Sequence, residues 1–183
     1  MGKSGEKKKD YAFDKLLKRC SGGNSKAQEH LFKAYYGYVM GIALRYSSNH
    51  DNASEICNDS YMKIFQKLET HQKEKEFKAW VRKIVINTAI DHFRKEKKQE
   101  FETTLEGSYY ESNDATILDK LNAEEILKLI NSLPMVYRYT FNLFEIEGFS
   151  HDEIAQKLGV TASTSRSNLT RAKKMLRQII LKQ

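Results

Sequence analysis

The chain has 183 residues, enough for one domain or two small ones. Its formal charge of +7 favours a polyanionic partner without identifying it. Two isolated cysteines, Cys20 and Cys57, exclude a disulfide framework or a CxxC metal site, and the histidines at positions 30, 50, 71, 92 and 151 never fall at metal-ligand spacing. No Gly-rich phosphate loop, nucleophile motif or paired acid and base stands out, so neither catalysis nor a cofactor is expected. No signal peptide and no apolar run long enough to cross a bilayer is present. A cytoplasmic protein without membrane insertion is expected. The single proline, Pro134, and the lack of sustained apolar–polar alternation predict an all-α fold.

Residues 1–10 are basic and polar and are expected to be disordered. Residues 11–19 can form a short helix through Phe13, Leu16 and Leu17, and Ser21-Gly22-Gly23-Asn24 breaks it. Residues 26–47 form a long helix, with Leu31, Tyr35, Tyr38, Val39, Ile42 and Tyr46 on one stripe that core packing explains. A turn over 48–51 follows, with Asp51 as the expected N-cap.

Residues 52–68 have the cleanest periodicity. Ala53, Ile56, Cys57, Ser60, Tyr61, Ile64, Phe65 and Leu68 line one side at three- and four-residue spacings. The reverse side carries Glu55, Asn58, Asp59, Met62 and Gln66, acidic at its N-terminal half in a basic protein. Helix-dipole compensation accounts for acids in the first turns, less well for Asp59 and an exposed Met62. A partner-binding face and a solvated face both remain open on these residues alone.

Residues 69–76 read as a charged loop. Residues 77–98 form another helix, with Phe77, Trp80, Val81, Ile84, Val85 and Thr88 turned inward and Lys78, Arg82, Lys83, Asn87, Arg94, Lys95, Lys97 and Lys98 making much of the rest basic. Trp80 could belong to the core or stack on an unpaired base. Residues 99–119 hold acids and no Lys or Arg, and apolar periodicity is lost. This is a linker, and a domain boundary lies within it. Residues 121–131 form a helix through Ile126, Leu127 and Ile130. The next begins near Pro134, runs to about Glu147 and ends at Gly148.

The strongest motif lies from Gly148 to Leu181. Ser150 and Glu153 form a capping box before a short amphipathic helix with Ile154, Ala155 and Leu158 on one face. Gly159 stops it, and Thr161 caps a longer helix reaching about Ile180. Two helices joined by a short Gly-containing turn form a helix-turn-helix. Arg166, Arg171, Lys173, Lys174 and Arg177 make the second helix basic, and no acid occurs from Thr161 to Leu181. Its apolar stripe is Leu169, Ala172, Leu176 and Ile179/Ile180; the opposite face offers Ser163, Thr164, Arg166, Ser167, Asn168 and Arg171. These side chains suit phosphate oxygens and base edges. A solvated basic face is the alternative; the tandem caps, the glycine turn and the acid-free second helix together favour DNA binding.

Several stretches then coincide with one family. LFKAYYGYVMGIALRY, DNASEICNDSYMKIFQKL, FKAWVRKIVINTAIDHFRK and LPMVYRYTFNLFEIEGFSHDEIAQKLGVTASTSRSNLTRAKKML occur in that order. The chain resembles a bacterial sigma factor of the extracytoplasmic-function (ECF) type, in the sigma-70 family. The resemblance implies a region 2 domain over 11–98, an acidic linker over 99–119 and a region 4 domain over 120–183. It implies core RNA polymerase and promoter DNA as partners and an anti-sigma factor as a further one. By position in the motifs, Ser163, Thr164, Arg166, Ser167, Asn168, Thr170, Arg171 and Lys174 would meet the minus-35 element. Lys78, Trp80, Lys83 and Asn87 would meet the minus-10 element, together with the loop over 69–76. Glu55, Asn58, Asp59, Met62 and Lys63 would grip core polymerase. Ser54 and Asn58 depart mildly from the family's usual residues in that helix.

The alternatives are an autonomous helix-turn-helix regulator and an all-helical adaptor whose basic faces meet RNA or an acidic protein. A stack of DNA is worth about 1.4 kcal/mol per step, so opening about ten pairs costs on the order of 14 kcal/mol. A small chain with few stacking aromatics needs a partner to sustain that. The acidic face over 52–68 and the long spacer favour the polymerase subunit.

Overall fold

The computed structural model describes residues 3–71, 76–103 and 123–182. Among them the secondary structure is helical throughout, with no strand. The helices are α1 (Lys3–Ser21), α2 (Ser25–Tyr46), α3 (His50–Lys67), α4 (Phe77–Thr103), α5 (Ala123–Asn131), α6 (Met135–Phe141), α7 (His151–Leu158) and α8 (Ala162–Lys182). A 3-10 turn spans Leu68–Thr70 and a π-turn spans Asn142–Ile146.

Caps set the boundaries. Asn24 Oδ1 accepts from the Ala27 N–H at 2.9 Å, starting α2. The expected cap at Asp51 is corrected: Asn49 Oδ1 accepts from the Asn52 N–H at 2.8 Å, so α3 begins at His50. Asp51 instead sits in the first turn, where a negative charge suits the helix dipole. The backbone is helical from Lys3, where disorder was expected over 1–10. Lys and Glu are good helix formers, and the segment continues the register of the helix behind it. Likewise α4 passes the expected end at Lys98 and reaches Thr103, because no Gly or Pro interrupts it before Gly107. The remainder of the acidic linker, and most of the loop expected over 69–76, lie outside the described residues.

The helix expected from Pro134 to Glu147 is not regular. Pro134 sits at the N-cap of α6. Past Phe141 the ladder widens, and the Glu147 N–H donates to the Asn142 carbonyl at 3.0 Å. The widening coincides with Asn142, a fully buried side chain whose Nδ2 donates to the Arg45 carbonyl at 2.6 Å. Periodicity carries no signal for such a turn.

The chain gathers into two compact units, Met1–Ala43 with Ser54–Thr88, and Leu44–Ala53 with Ala89–Gln183. In the first, Leu31, Val39, Ile42, Ile56, Cys57, Ile64, Val81 and Val85 are buried. Beside them an aromatic group joins Phe13, Tyr35 and Phe77, with centroids 5.1 Å apart between Phe77 and each of the others. In the second, Tyr46, Phe93, Leu133, Tyr139, Leu143, Ile154, Leu158, Leu169 and Ala172 are buried. The Tyr139 ring meets Tyr46 and Phe93, and its hydroxyl donates to the Ala89 carbonyl at 3.0 Å. Burial pushes that phenol's pKa up.

Candidate nucleic-acid interface

The helix-turn-helix is built by its caps. Ser150 Oγ accepts from the Glu153 N–H at 3.3 Å, and the Ser150 N–H donates to Glu153 Oε2 at 2.8 Å. The backbone N–H of Ser150, then its hydroxyl, hold the Glu153 carboxyl below its ordinary pKa. Gly159 ends α7 at φ 64°, a left-handed conformation that costs a side-chain-bearing residue strain. Thr161 Oγ1 then accepts from the Thr164 N–H at 3.0 Å and opens α8. His151, at the start of α7, stacks on Phe144 and shares a 2.9 Å hydrogen bond with the buried Ser165 of α8. Each expected cap of this motif is therefore in place.

Among the α8 residues assigned to the minus-35 element, Ser163, Thr164, Arg166, Ser167, Thr170, Arg171 and Lys174 are exposed. Asn168 is a correction. It is only 6% exposed and lies in the packed stripe of Ser165, Asn168, Leu169 and Ala172. That three-and-four spacing places it on the inner face, away from any docked base. The Thr164 hydroxyl faces Thr161 at 2.8 Å and serves the cap. Ser167 Oγ donates to the Thr164 carbonyl and Thr170 Oγ1 to the Arg166 carbonyl, each at 3.0 Å. With their protons directed into the helix, these oxygens turn lone pairs outward and suit the amino groups of adenine or cytosine. Arg166 supplies donors beside them.

On α4, Trp80, Lys83 and Asn87 fall at i, i+3 and i+7 and share one side. Lys83 and Asn87 are exposed; Trp80 is half-buried, 4.9 Å from the His71 ring and 5.6 Å from Phe77. Trp80 is thus a partly covered aromatic rather than a fully packed core residue. Lys78 is exposed too, but lies about half a helical turn around α4 from Asn87 and does not share that side. Its ammonium stands 5.9 Å over the Tyr38 ring, and its carbonyl accepts from the Tyr38 hydroxyl at 3.2 Å. His71 was missed in sequence because 69–76 has no helical period to place a side chain. Burial lowers its pKa.

Of the α3 residues, Glu55, Asn58, Asp59 and Met62 are exposed and share the side away from Cys57, Ser60 and Ile64, whereas Lys63 is half-buried and stands close to the line of Ile56, at the edge of the packed face. Met62 is 62% exposed, unusual for an apolar side chain of its size beside a packed core. No group of side chains able to hold a metal ion occurs among the described residues. Nor is any described helix long and apolar enough to cross a membrane.

Comparisons with known proteins agree with this geometry. The Sigma-70 region 2 model matches residues 31–99, and the Sigma-70, region 4 model matches 123–176, together about two thirds of the chain. The ECF RNA polymerase sigma-E factor of Haemophilus influenzae is 25% identical over 173 residues, covering 88% of this chain and 91% of that one. RNA polymerase sigma factor SigV of Bacillus subtilis is 29% identical over 136 residues, 74% of this chain and 80% of that one. A solved structure of the sigma factor RpoE from Bartonella quintana, in complex with the anti-sigma factor NepR, shares the fold. Its TM-score is 0.51 at 22% identity, and the match covers 83% of this chain and 95% of that one. With region 2 and region 4 in this order, on these helices, the chain belongs to the sigma-70 family as an ECF-type RNA polymerase sigma factor.

Proposed function

We propose that this sigma factor directs core RNA polymerase to promoters whose minus-35 element is read by α8 and whose minus-10 element is opened and held along α4. The observation that carries the reading is the outer face of α8. Ser163, Arg166, Ser167, Thr170 and Lys174 stand exposed on a doubly capped helix-turn-helix without an acid on the second helix. In the major groove, Arg166 can pair bidentately with guanine, and the Ser167 and Thr170 oxygens can accept from base amino groups. Lys174, farther along the helix, suits a phosphate.

On α4, Lys83 and Asn87 lie beside the exposed part of Trp80. The set can meet the backbone and stack one displaced base. Stacking on a single ring leaves most of the roughly 14 kcal/mol of duplex opening to the polymerase. The α3 face of Glu55, Asn58, Asp59, Met62 and Lys63 supplies the grip on the enzyme. An exposed methionine set among polar groups is a common makeup for a protein-binding surface. Catalysis then belongs to the polymerase and not to this chain, which works in the cytoplasm. Residues 11–98 and 120–183 act as two DNA-reading domains joined by the acidic segment 99–119. The anti-sigma complex of the Bartonella quintana relative supports a similar inhibitor for this chain.

Run-off transcription with purified core polymerase on a promoter library tests the proposal. Adding the chain selects start sites that share a minus-35 and a minus-10 sequence. Core enzyme that starts at the same sites with and without the chain would refute it. An autonomous regulator would instead bind a palindromic duplex as a stable dimer without polymerase.

A further inference from the structure

We propose that Tyr137 is a positioning residue for Arg171, holding its guanidinium at the edge of α8 as a fixed phosphate contact. The inference rests on the reading of α8 as the minus-35 helix and goes beyond it to a residue outside the helix-turn-helix.

Arg171 and Lys173 lie on nearly opposite flanks of α8, about 200° apart at 3.6 residues per turn. Between them run Ser163, Ser167, Thr170 and Lys174, the middle of the exposed face. The two flanking cations meet different partners. Lys173 Nζ stands 2.6 Å from Glu145 Oε1, in the π-turn, and its charge is matched by a carboxylate. Arg171 Nη1 donates to the hydroxyl of Tyr137, on α6, at 3.2 Å. A phenol is a neutral acceptor, so it fixes the guanidinium without cancelling its charge.

Phosphate recognition needs that combination. A guanidinium carries five N–H donors in a planar fork, so one bond to tyrosine leaves the others free to meet phosphate oxygens. An exposed arginine samples many rotamers, and ordering it on binding weakens affinity. Tyr137 is half-buried on α6, whose Tyr139 and Thr140 are buried, and a phenol has few rotamers of its own. It is a stiff prop for a flexible side chain. Arg171 is set to the side of the central face, where the groove wall and its phosphates lie, rather than where base edges lie. Arg171 therefore offers DNA an uncancelled charge, whereas Lys173 spends its own on Glu145.

Holoenzyme binding to promoter DNA, measured across a salt series and on several minus-35 sequences, tests this. Arg171→Ala lowers the slope of log affinity against log salt by about one, and Lys173→Ala changes it little. Tyr137→Phe keeps the slope, because the charge stays, but weakens binding about three- to tenfold on every minus-35 sequence alike. In the Arg171→Ala background Tyr137→Phe adds no further loss. Tyr137→Gln, whose amide oxygen can accept the same N–H, recovers part of the binding, which a simple packing defect would not. Wild-type affinity for Tyr137→Phe overturns the proposal, as does an undiminished loss in the Arg171→Ala background. If the wild-type holoenzyme shows no minus-35 preference at all, the reading of α8 fails first, a result distinct from either.

Discussion

Helices α3 and α8 are both amphipathic, and the contrast between them separates what holds the fold from what the fold presents. The inner face of α3 is mostly apolar, through Ala53, Ile56, Cys57 and Ile64, and its hydroxyls are paired with carbonyls, Ser60 donating back to Ile56 at 2.6 Å and Tyr61 to Phe32 at 3.0 Å. The inner face of α8 is half polar. Ser165 and Asn168 are buried beside Leu169 and Ala172, and Ser165 needs His151 as its partner. Both helices are capped, but apolar burial carries most of the inner face of α3, whereas that of α8 leans more on matched hydrogen bonds. Their outer faces differ in sign: acids and a methionine on α3, arginines, lysines and hydroxyls on α8. One architecture thus presents an acidic face with an exposed methionine in one place and a basic, hydroxyl-bearing face in another.

The largest effect should come from the inner face of α3. Ile64→Ala removes a side chain that is 1% exposed and should destabilise the protein by about 2–5 kcal/mol in denaturant unfolding. A loss near 0.5 kcal/mol would mean that α3 is not held by burial. On the outer face of α8, Arg166→Ala should weaken promoter use by about 1–3 kcal/mol and relax base choice at one minus-35 position. Equal loss on every sequence would make Arg166 a phosphate contact and leave base choice to Ser167 and Thr170.

The turn between α7 and α8 gives the next step down. Gly159→Ala meets no atom within 4 Å, so its penalty is one of backbone conformation, about 1–2 kcal/mol at φ 64°. Thr161→Ala should remove about 1 kcal/mol of helix capping, read as a lower melting temperature. An unchanged melting temperature would show that the Thr161 bond to Thr164 adds nothing to α8. The pH dependence is the subtlest effect. Because the Glu153 pKa is depressed in the folded state, its contribution is present above the unfolded carboxyl's pKa. It is lost as pH falls through the folded value. Glu153→Gln should therefore flatten the acid limb of the stability profile, and an unaltered limb would exclude the capping box as its source.

The same contrast shows what the sequence could and could not convey. The α3 stripe was legible because one period of apolar residues is enough to define a face. The capping box, Gly159 and Thr161 were legible because each backbone need has a short list of residues that meet it. Asn168 was assigned to the outer face because its chemistry suits adenine, but packing overrode chemistry. Buried asparagines are rare enough that residue type pointed the wrong way. Lys78 was grouped with Lys83 and Asn87 by charge, although nine positions on a helix amount to a half turn away. The π-turn at Asn142 and the hydroxyl of Tyr137 under Arg171 depend on contacts between segments distant in the chain, and no local pattern encodes those.

The most direct test of the contrast is site-specific photo-crosslinking in one holoenzyme–promoter complex, with the crosslinker placed at position 62 or at position 166. The account predicts protein crosslinks to a polymerase subunit from position 62, and DNA crosslinks within the minus-35 element from position 166. DNA crosslinks from position 62, or only protein crosslinks from position 166, would contradict it.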